Sequence, residues 1–308
     1  MSHLTLQAGV TTVVVTGAGS GFGLELARLG AQKGLNLVLM DVQQDSLDAV
    51  VQELRSQKAQ VAALRGDVSR PEDVKALADL CLERFGVPHL VINNAGVAHG
   101  GLIWEHSMRD WQWVLGVNLY GVIHGVHTFT PLMLRAAKKD PAYQGHIVNV
   151  ASMAGLLNSP NMGAYNVSKH AVVSLSETLY QDLSLVTDQV HASVLCPYFV
   201  PTGLHLSDRN RPRELRSEGK PTPSQLIAQA MSTKAVTSGK VTAAQTAAMI
   251  YDGVERGSFY IFTHPNAMGS VQTRMEDILQ ARNPTDPFAG KPEIGDRLRQ
   301  ALKEASQR

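Results

Sequence analysis

The chain has 308 residues, of which 44% are hydrophobic and 18% charged, with a formal net charge of +1 and two cysteines. That length suits one large α/β domain or two small ones. The near-zero charge argues against nucleic acid or an anionic membrane surface as partner, and two cysteines cannot build a disulfide framework or a zinc spacing. The first nine residues lack a basic stretch followed by an apolar core, and no apolar run approaches the roughly 18 residues of a membrane span. A cytoplasmic protein without metal, its Cys81 and Cys196 buried as thiols, is therefore expected.

Residues 11–16 are β-branched and end in glycines, the mark of a buried parallel strand. Gly17, Gly19, Gly21 and Gly23 then open a helical pattern through Leu24, Leu26, Ala27, Leu29 and Ala31. The common Gly-x-Gly-x-x-Gly motif does not fit, because Phe22 stands where its third glycine would be; Thr16-Gly17-x-x-x-Gly21-x-Gly23 does. Glycines allow a tight turn and close backbone approach, and a helix N-terminus offers free N–H groups to a pyrophosphate. Tight packing alone is the alternative reading. A second strand at 35–40 ends in Asp41, where a Rossmann unit bonds an adenosine ribose. A carboxylate there repels a 2′-phosphate, no cation follows at 42–44, and Ser20 in the glycine turn is neutral, so NAD is expected over NADP. Asp41 as a simple turn carboxylate is the alternative.

A helix at 45–57 and a strand at 61–65 lead to Gly66, Asp67 and Val68. Ser69 reads as the cap of a helix running to Phe85, with Pro71 and Glu72 in its first turn. A fourth strand at 88–92 ends in Asn93, Asn94, Ala95 and Gly96, on the ligand side of an open parallel sheet. Trp104, Trp111 and Trp113 surround a polar segment, and an apolar helical run then carries Asn118, a costly residue there unless its amide is used.

A strand at 146–151 precedes Ser152. After Pro160, the residues Ala164, Val167, Ala171, Val172, Leu175, Leu179 and Leu183 are spaced as one buried helix face, placing Tyr165 and Lys169 one turn apart on a shared face. A free phenol, with a pKa of about 10, accepts a proton poorly near neutrality; a nearby ammonium favours the phenolate. Tyr165 thus becomes a candidate general acid/base, with Ser152 placed to donate a hydrogen bond to a substrate oxygen. An ordinary amphipathic helix with a cation near a ring is the alternative.

Strand six, 190–196, closes with Pro197 and Thr202. Residues 204–240 are polar and proline-punctuated, which predicts a mobile flap with a helix near 224–231, its Arg209, Arg211, Arg213 and Arg216 forming a solvated loop. A helix at 243–256, a strand at 258–262, a helix at 266–281, a proline-rich stretch and a short charged helix complete the chain. Seven strands alternate with helices, without repeats or a composition break. The expectation is one Rossmann-like, doubly wound α/β domain over residues 1–308, with a parallel sheet of about seven strands and helices on both faces. Residues 198–240 would form a substrate flap and 266–308 a helical extension.

In order and spacing, the glycine turn, Asp67-Val68, Asn93-Asn94-Ala95-Gly96, Asn118, Ser152, Tyr165-x-x-x-Lys169 and Pro197 with Thr202 resemble the classical short-chain dehydrogenase/reductases over about residues 8–265. The resemblance implies a catalytic tetrad. Tyr165 exchanges the proton and Ser152 positions the carbonyl; Lys169 lowers the phenol pKa and holds the nicotinamide ribose, and Asn118 anchors a water in the proton relay. It further implies cofactor contacts at Gly17, Ser20, Gly21, Phe22, Gly23 and Asp41, adenine contacts at Asp67 and Val68, and a cofactor lining of Asn94, Ala95 and Gly96. Pro197, Val200 and Thr202 would border the nicotinamide. Tyr198 departs from the glycine many members have after the proline, and either stacks on an aromatic substrate or fills the loop.

The flap and tail are similar to bacterial members that include the Cα-dehydrogenases of lignin-derived aryl alcohols. His99, Trp104, Met153, Met162, Phe199 and His205 are candidate pocket residues, each also explicable as packing. The function implied is NAD-dependent hydride transfer to or from a secondary alcohol or ketone, bulky and apolar or aromatic, by a homodimer or homotetramer paired through the helices around Asn118 and Tyr165. A hydroxysteroid substrate, or a nucleotide-binding regulator without catalysis, are the alternatives.

Overall fold

The computed structural model describes residues 3–217 and 219–306; the ends of the expected domain, 1–2 and 307–308, lie outside the described residues. The first half alternates β1 (Thr12–Thr16), α1 (Gly21–Gln32), β2 (Asn36–Asp41), α2 (Gln44–Ser56), β3 (Val61–Arg65), α3 (Pro71–Phe85) and β4 (Leu90–Asn93). It continues with α4 (Met108–Leu115), α5 (Gly121–Lys139), β5 (Gly145–Val150), α6 (Gly163–Val186) and β6 (Val190–Cys196). The last third holds α7 (Pro223–Thr237), α8 (Ala243–Glu255), β7 (Tyr260–Phe262), α9 (Gly269–Leu279) and α10 (Pro292–Ser306).

The strands form one seven-stranded sheet in the order β3-β2-β1-β4-β5-β6-β7, every pairing parallel. Alternate residues of a strand point to opposite faces, and here both faces are buried. Val13, Val15, Leu37 and Leu39 pack with Leu26, Leu54 and Tyr251 of α1, α2 and α8. Val14, Val38, Met40 and Val91 pack with Leu77, Phe129 and Leu183 of α3, α5 and α6. This explains the continuous apolar runs of the sequence. The chain leaves β1 towards β2 and β3 and returns to β4 on the other side of β1, so the strand order reverses between β1 and β4 and opens a crevice at their carboxyl ends.

Several local expectations need correction. Ser69 does not cap α3: Arg70 holds that place ahead of Pro71, and the Ser69 hydroxyl donates instead to Asp67 Oδ1 at 2.7 Å. The aliphatic face expected of α6 is buried at Ala164, Val172, Leu179 and Leu183, but it is shared with polar side chains and does not include Val167. Val167 is 45% exposed, whereas Tyr165, Ser168, Lys169 and Ser176 are buried.

The flap is structured over its described residues. A 3₁₀ segment Gly203–Asn210 and a short turn Arg213–Leu215 precede α7, which is twice the length expected. Thr222 and Gln225 close a capping box at its start, and Pro223 occupies its first turn, where its missing N–H is harmless. Arg211 is the main correction to the solvated loop. Its side chain is buried and pairs with Asp110 Oδ1 at 2.6 Å; its Nε donates to the Leu215 carbonyl at 2.7 Å, and the guanidinium lies 5.0 Å from the Trp113 ring centre. Burial alone would raise the Asp110 pKa, but hydrogen bonds from Ser107 and Arg211 hold it below the usual carboxylate value. The pair clasps the flap to the start of α4. Among the described residues, no helix is long and apolar enough to cross a membrane.

Candidate active site

A cleft of about 1530 Å³ opens at the carboxyl ends of the strands. At one end lies the glycine turn. Gly17 and Gly21 have φ of +66° and +55°, in the region glycine tolerates best. A Cβ on Gly17 would meet Ala95 Cα at 2.8 Å, and one on Gly19 would meet Asp41 Oδ2 at 2.9 Å. The turn therefore offers bare backbone to the cleft. Ser20 precedes α1 and makes no side-chain capping bond, leaving the first N–H groups of the helix for a ligand. Gly23 does not reach the cleft. A Cβ there would overlap the Gly17 carbonyl oxygen at 2.0 Å, so this glycine seats α1 on the turn rather than lining the cofactor site.

Asp41 lines the cleft beside the glycine turn. Its carboxylate accepts the Gly19 N–H at 2.8 Å and the Gln43 N–H at 2.9 Å, and each oxygen keeps a further lone pair for a hydroxyl. Asn94 donates its amide to the carbonyls of Thr16 at 2.8 Å and Gly17 at 3.2 Å, bracing the glycine turn. Phe22, Asp67, Val68, Ala95, Gly96, Pro197, Val200 and Thr202 all line the same cleft.

Ser152, Tyr165 and Lys169 converge on its floor. Lys169 is buried and donates to the Val150 carbonyl at 2.9 Å; its ammonium nitrogen is 5.8 Å from the Tyr165 ring centre. Burial lowers the Lys169 pKa to about 8. Burial also raises the Tyr165 pKa, partly offset by its hydrogen bond with Ser152. The effect expected from helical spacing is thus outweighed: desolvation, not the neighbouring cation, dominates the phenol, which stays protonated at neutral pH. Ser152 Oγ also accepts the Ala154 N–H at 3.1 Å and donates weakly to the Pro197 carbonyl at 3.4 Å.

Asn118 sits in a π-helical turn, Gly116–Tyr120, from which the Gly121 N–H reaches back to the Gly116 carbonyl. Its amide is used within the protein, on Val97 of the cleft lining and on Ser168 of α6. It accepts the Val97 N–H at 2.8 Å and donates to the Val97 carbonyl at 2.9 Å and to Ser168 Oγ at 3.0 Å. Gly96 lies between the two groups, since a Cβ on it would be 3.5 Å from Asn118 Oδ1 and 3.6 Å from Lys169 Nζ. The amide thereby fixes the segment after β4 against α6.

Of the pocket candidates, Met153, Met162 and Phe199 line the cleft. Trp104 is 77% exposed and outside it. His99 and His205 border a small separate recess. His99 belongs to a buried group with His106 and Asp110 whose potential ligand atoms lie within 4.8 Å of one another. The Asp110 carboxylate is already taken, by Arg211 on one oxygen and by the Ser107 N–H and hydroxyl on the other. The guanidinium supplies the positive charge a metal would bring, so the group reads as a structural clasp. Tyr198 lines the cleft and its ring packs 4.5 Å from Phe199 and 5.7 Å from His264. Both cysteines are buried and free, with Cys196 pushed up to about 12 by burial.

No motif in the sequence marked the wall opposite Tyr165. It comes from α7, α9, α10 and the loop between the last two. The only signal was periodic: Ser270, Thr273, Arg274, Asp277 and Ile278 recur as one helical stripe.

A family model described as short chain dehydrogenase matches residues 11–212. A dehydrogenase/reductase of "CLA biosynthesis" from Lactiplantibacillus plantarum is 32% identical over 86% of this chain and 92% of its own length. A C alpha-dehydrogenase from a Sphingobium species is 28% identical over 91% of this chain and 90% of its own. The crystal structure of a short chain dehydrogenase/reductase from Burkholderia phymatum in complex with NAD is 49% identical, with a TM-score of 0.89 over 92% of this chain and all of the other.

Proposed function

The chain belongs to the short chain dehydrogenase family, and from that premise we propose that it is an NAD-dependent oxidoreductase of a bulky, largely apolar secondary alcohol or its ketone. The observation that carries this reading is one cleft with Ser152, Tyr165 and Lys169 on its floor and the glycine turn with Asp41 at its end. The donor set fits a dinucleotide. Side-chain-free backbone at Gly17 and Gly21, the open start of α1 and the neutral Ser20 suit a pyrophosphate, and Asp41 suits a ribose diol. The relative solved with NAD agrees with that choice.

When bound, the nicotinamide supplies the hydride acceptor or donor. The chain's own residues handle the proton. For reduction, the protonated Tyr165 donates to the carbonyl oxygen as charge develops there, while Ser152 holds that oxygen by a hydrogen bond. For oxidation, Tyr165 must first give up its own proton so that the phenolate can take the hydroxyl proton; burial disfavours that form, and rising pH restores it. Lys169 places a buried ammonium 5.8 Å from the ring centre and would hold a ribose hydroxyl of the bound cofactor. The lining residues Met153, Met162 and Phe199 favour an apolar body. A homodimer or homotetramer is part of the same reading, with Tyr120 beside α5 and Val167 and Tyr180 on α6 offering exposed apolar surface.

The test is steady-state absorbance of the reduced nicotinamide with a panel of aryl carbinols and alicyclic secondary alcohols. Wild type should turn over members of the panel, and Tyr165→Phe should lose roughly 10²–10⁴-fold in kcat while still binding NADH. No turnover across the panel, or undiminished turnover by Tyr165→Phe, would overturn the reading.

A further inference from the structure

The cleft is larger than a single ligand needs. Its volume of about 1530 Å³ exceeds the roughly 300–1,000 Å³ common for one small-molecule site. The surplus lies against α7, α9 and α10. From α9, Ser270, Thr273, Arg274, Asp277 and Ile278 face the cleft; from α10, Ile294, Arg297, Leu298 and Ala301 do. Both sets follow helical periodicity. The inner end of α9 is fixed near the chemistry, because Val271 packs in the cluster that contains Met153, the neighbour of Ser152. At 1.5 Å per residue, Arg274 stands about 4.5 Å along the helix from that anchor.

Met231, Ile278, Phe288, Ile294 and Leu298 make much of this wall apolar. Its unmatched charges have one sign. The two acids are answered within the protein: Asp277 by Arg282 at 3.0 Å, Asp286 by Arg299 at 3.5 Å. The side chains of Lys234, Arg274, Lys291 and Arg297 have no ion-pair or hydrogen-bond partner among the described residues. Arg274 is also half-buried, and a cation withdrawn from water into an apolar wall is costly until an anion meets it. Arg209, the arginine of the flap that lines the cleft, stands beside Gly203 on the cofactor side, its Nη2 3.2 Å from where a Cβ of Gly203 would lie.

We infer that the substrate is an amphipathic hydroxy acid or oxo acid, its hydrocarbon body along α7, α9 and α10, its carboxylate on Arg274 and its carbinol or carbonyl at Tyr165. The inference rests on the dehydrogenase reading and narrows it. The carboxylate is a handle and changes in no bond. Lys234, Lys291 and Arg297 add a field of the same sign around it, and Arg274 alone is placed for direct contact from a half-buried position. A cation in a site otherwise apolar gives specificity by difference: the neutral ester of the same molecule leaves the guanidinium unanswered.

The experiment uses NADH-saturated full-length protein and a fluorescent long-chain carboxylate, cis-parinaric acid, titrated beside its methyl ester and its coenzyme A thioester. NADH affinity is measured first. Wild type failing to bind NADH would sink the dehydrogenase reading itself, whereas the inference is judged on the holoprotein. The acid should bind at least tenfold tighter than the ester. Arg274→Gln should erase that difference without changing ester or NADH affinity, and Arg274→Lys should keep part of it. Equal binding of acid and ester, binding of neither, or a preference that survives Arg274→Gln would overturn the inference. Tighter binding of the thioester than of the acid would also overturn it, by showing phosphate rather than carboxylate as the anion.

Discussion

The two ends of the cleft are built by different rules. The cofactor end is backbone: Gly17 and Gly21 present main-chain atoms, and Asn94 and Asp41 brace the turn through bonds to backbone groups. The substrate end is side chain, carried on α7, α9 and α10 from the last third of the sequence. A surface made of backbone tolerates little variation, since any Cβ there meets an atom, and so it leaves a short, recognisable motif. A surface made of helix faces can change one residue at a time, and so it leaves only periodicity. This difference teaches why the class of reaction is legible before the substrate is.

Changes on the shared floor and at the clasp should separate the two ends. The largest structural effect is expected at the flap clasp. Arg211→Met leaves the buried Asp110 carboxylate unanswered, and removing one partner of a buried pair costs about 3–5 kcal/mol. Urea unfolding should show that loss, while a double replacement that removes both charges should recover much of it. Equal stability of single and double variants would show that the pair is not a coupled clasp.

Lys169 should behave in the opposite sense. Burial holds its pKa at about 8 against 10.5 for a free lysine, a drop worth about 3 kcal/mol against the folded state. The unfolded chain keeps the proton up to about pH 10.5, so the penalty is fully present below pH 8 and fades as pH rises from 8 to 10.5. Lys169→Met should therefore raise stability at pH 7 and lose that gain by pH 10.5, while turnover collapses. A variant less stable than wild type at pH 7 would show instead that the ammonium is well satisfied by the Val150 carbonyl and its surroundings.

Smaller effects should be confined to the cofactor end. Gly19→Ala places a methyl group 2.9 Å from Asp41 Oδ2 and is expected to weaken NADH binding about tenfold, a loss of about 1.4 kcal/mol, with little change in binding of cis-parinarate. Asp41→Ala should raise the NADP-to-NAD preference in kcat/KM; an unchanged ratio would remove the ribose role from that carboxylate. The pH profile should be the mildest readout. Because burial raises the Tyr165 pKa, alcohol oxidation should climb with pH through the alkaline range in wild type, and a flat profile would place the proton elsewhere.

The amino-acid sequence alone determined the strands, because burying both faces of a parallel sheet demands unbroken β-branched and aliphatic runs. It determined the glycine turn and the Tyr165–Lys169 register, because each depends only on residues a few positions apart. The tertiary structure decided the rest. It put Arg211 against Asp110, 101 residues away, and directed the Asn118 amide to Val97 and Ser168. It turned Ser168, Lys169 and Ser176 of α6 inward beside the aliphatic residues and left Val167 outside, and it made burial the largest influence on Tyr165. Local periodicity records which face of an element is hidden. It carries no record of which distant single polar group will share that burial, and the energies that fix such pairs depend on how much water the finished fold excludes.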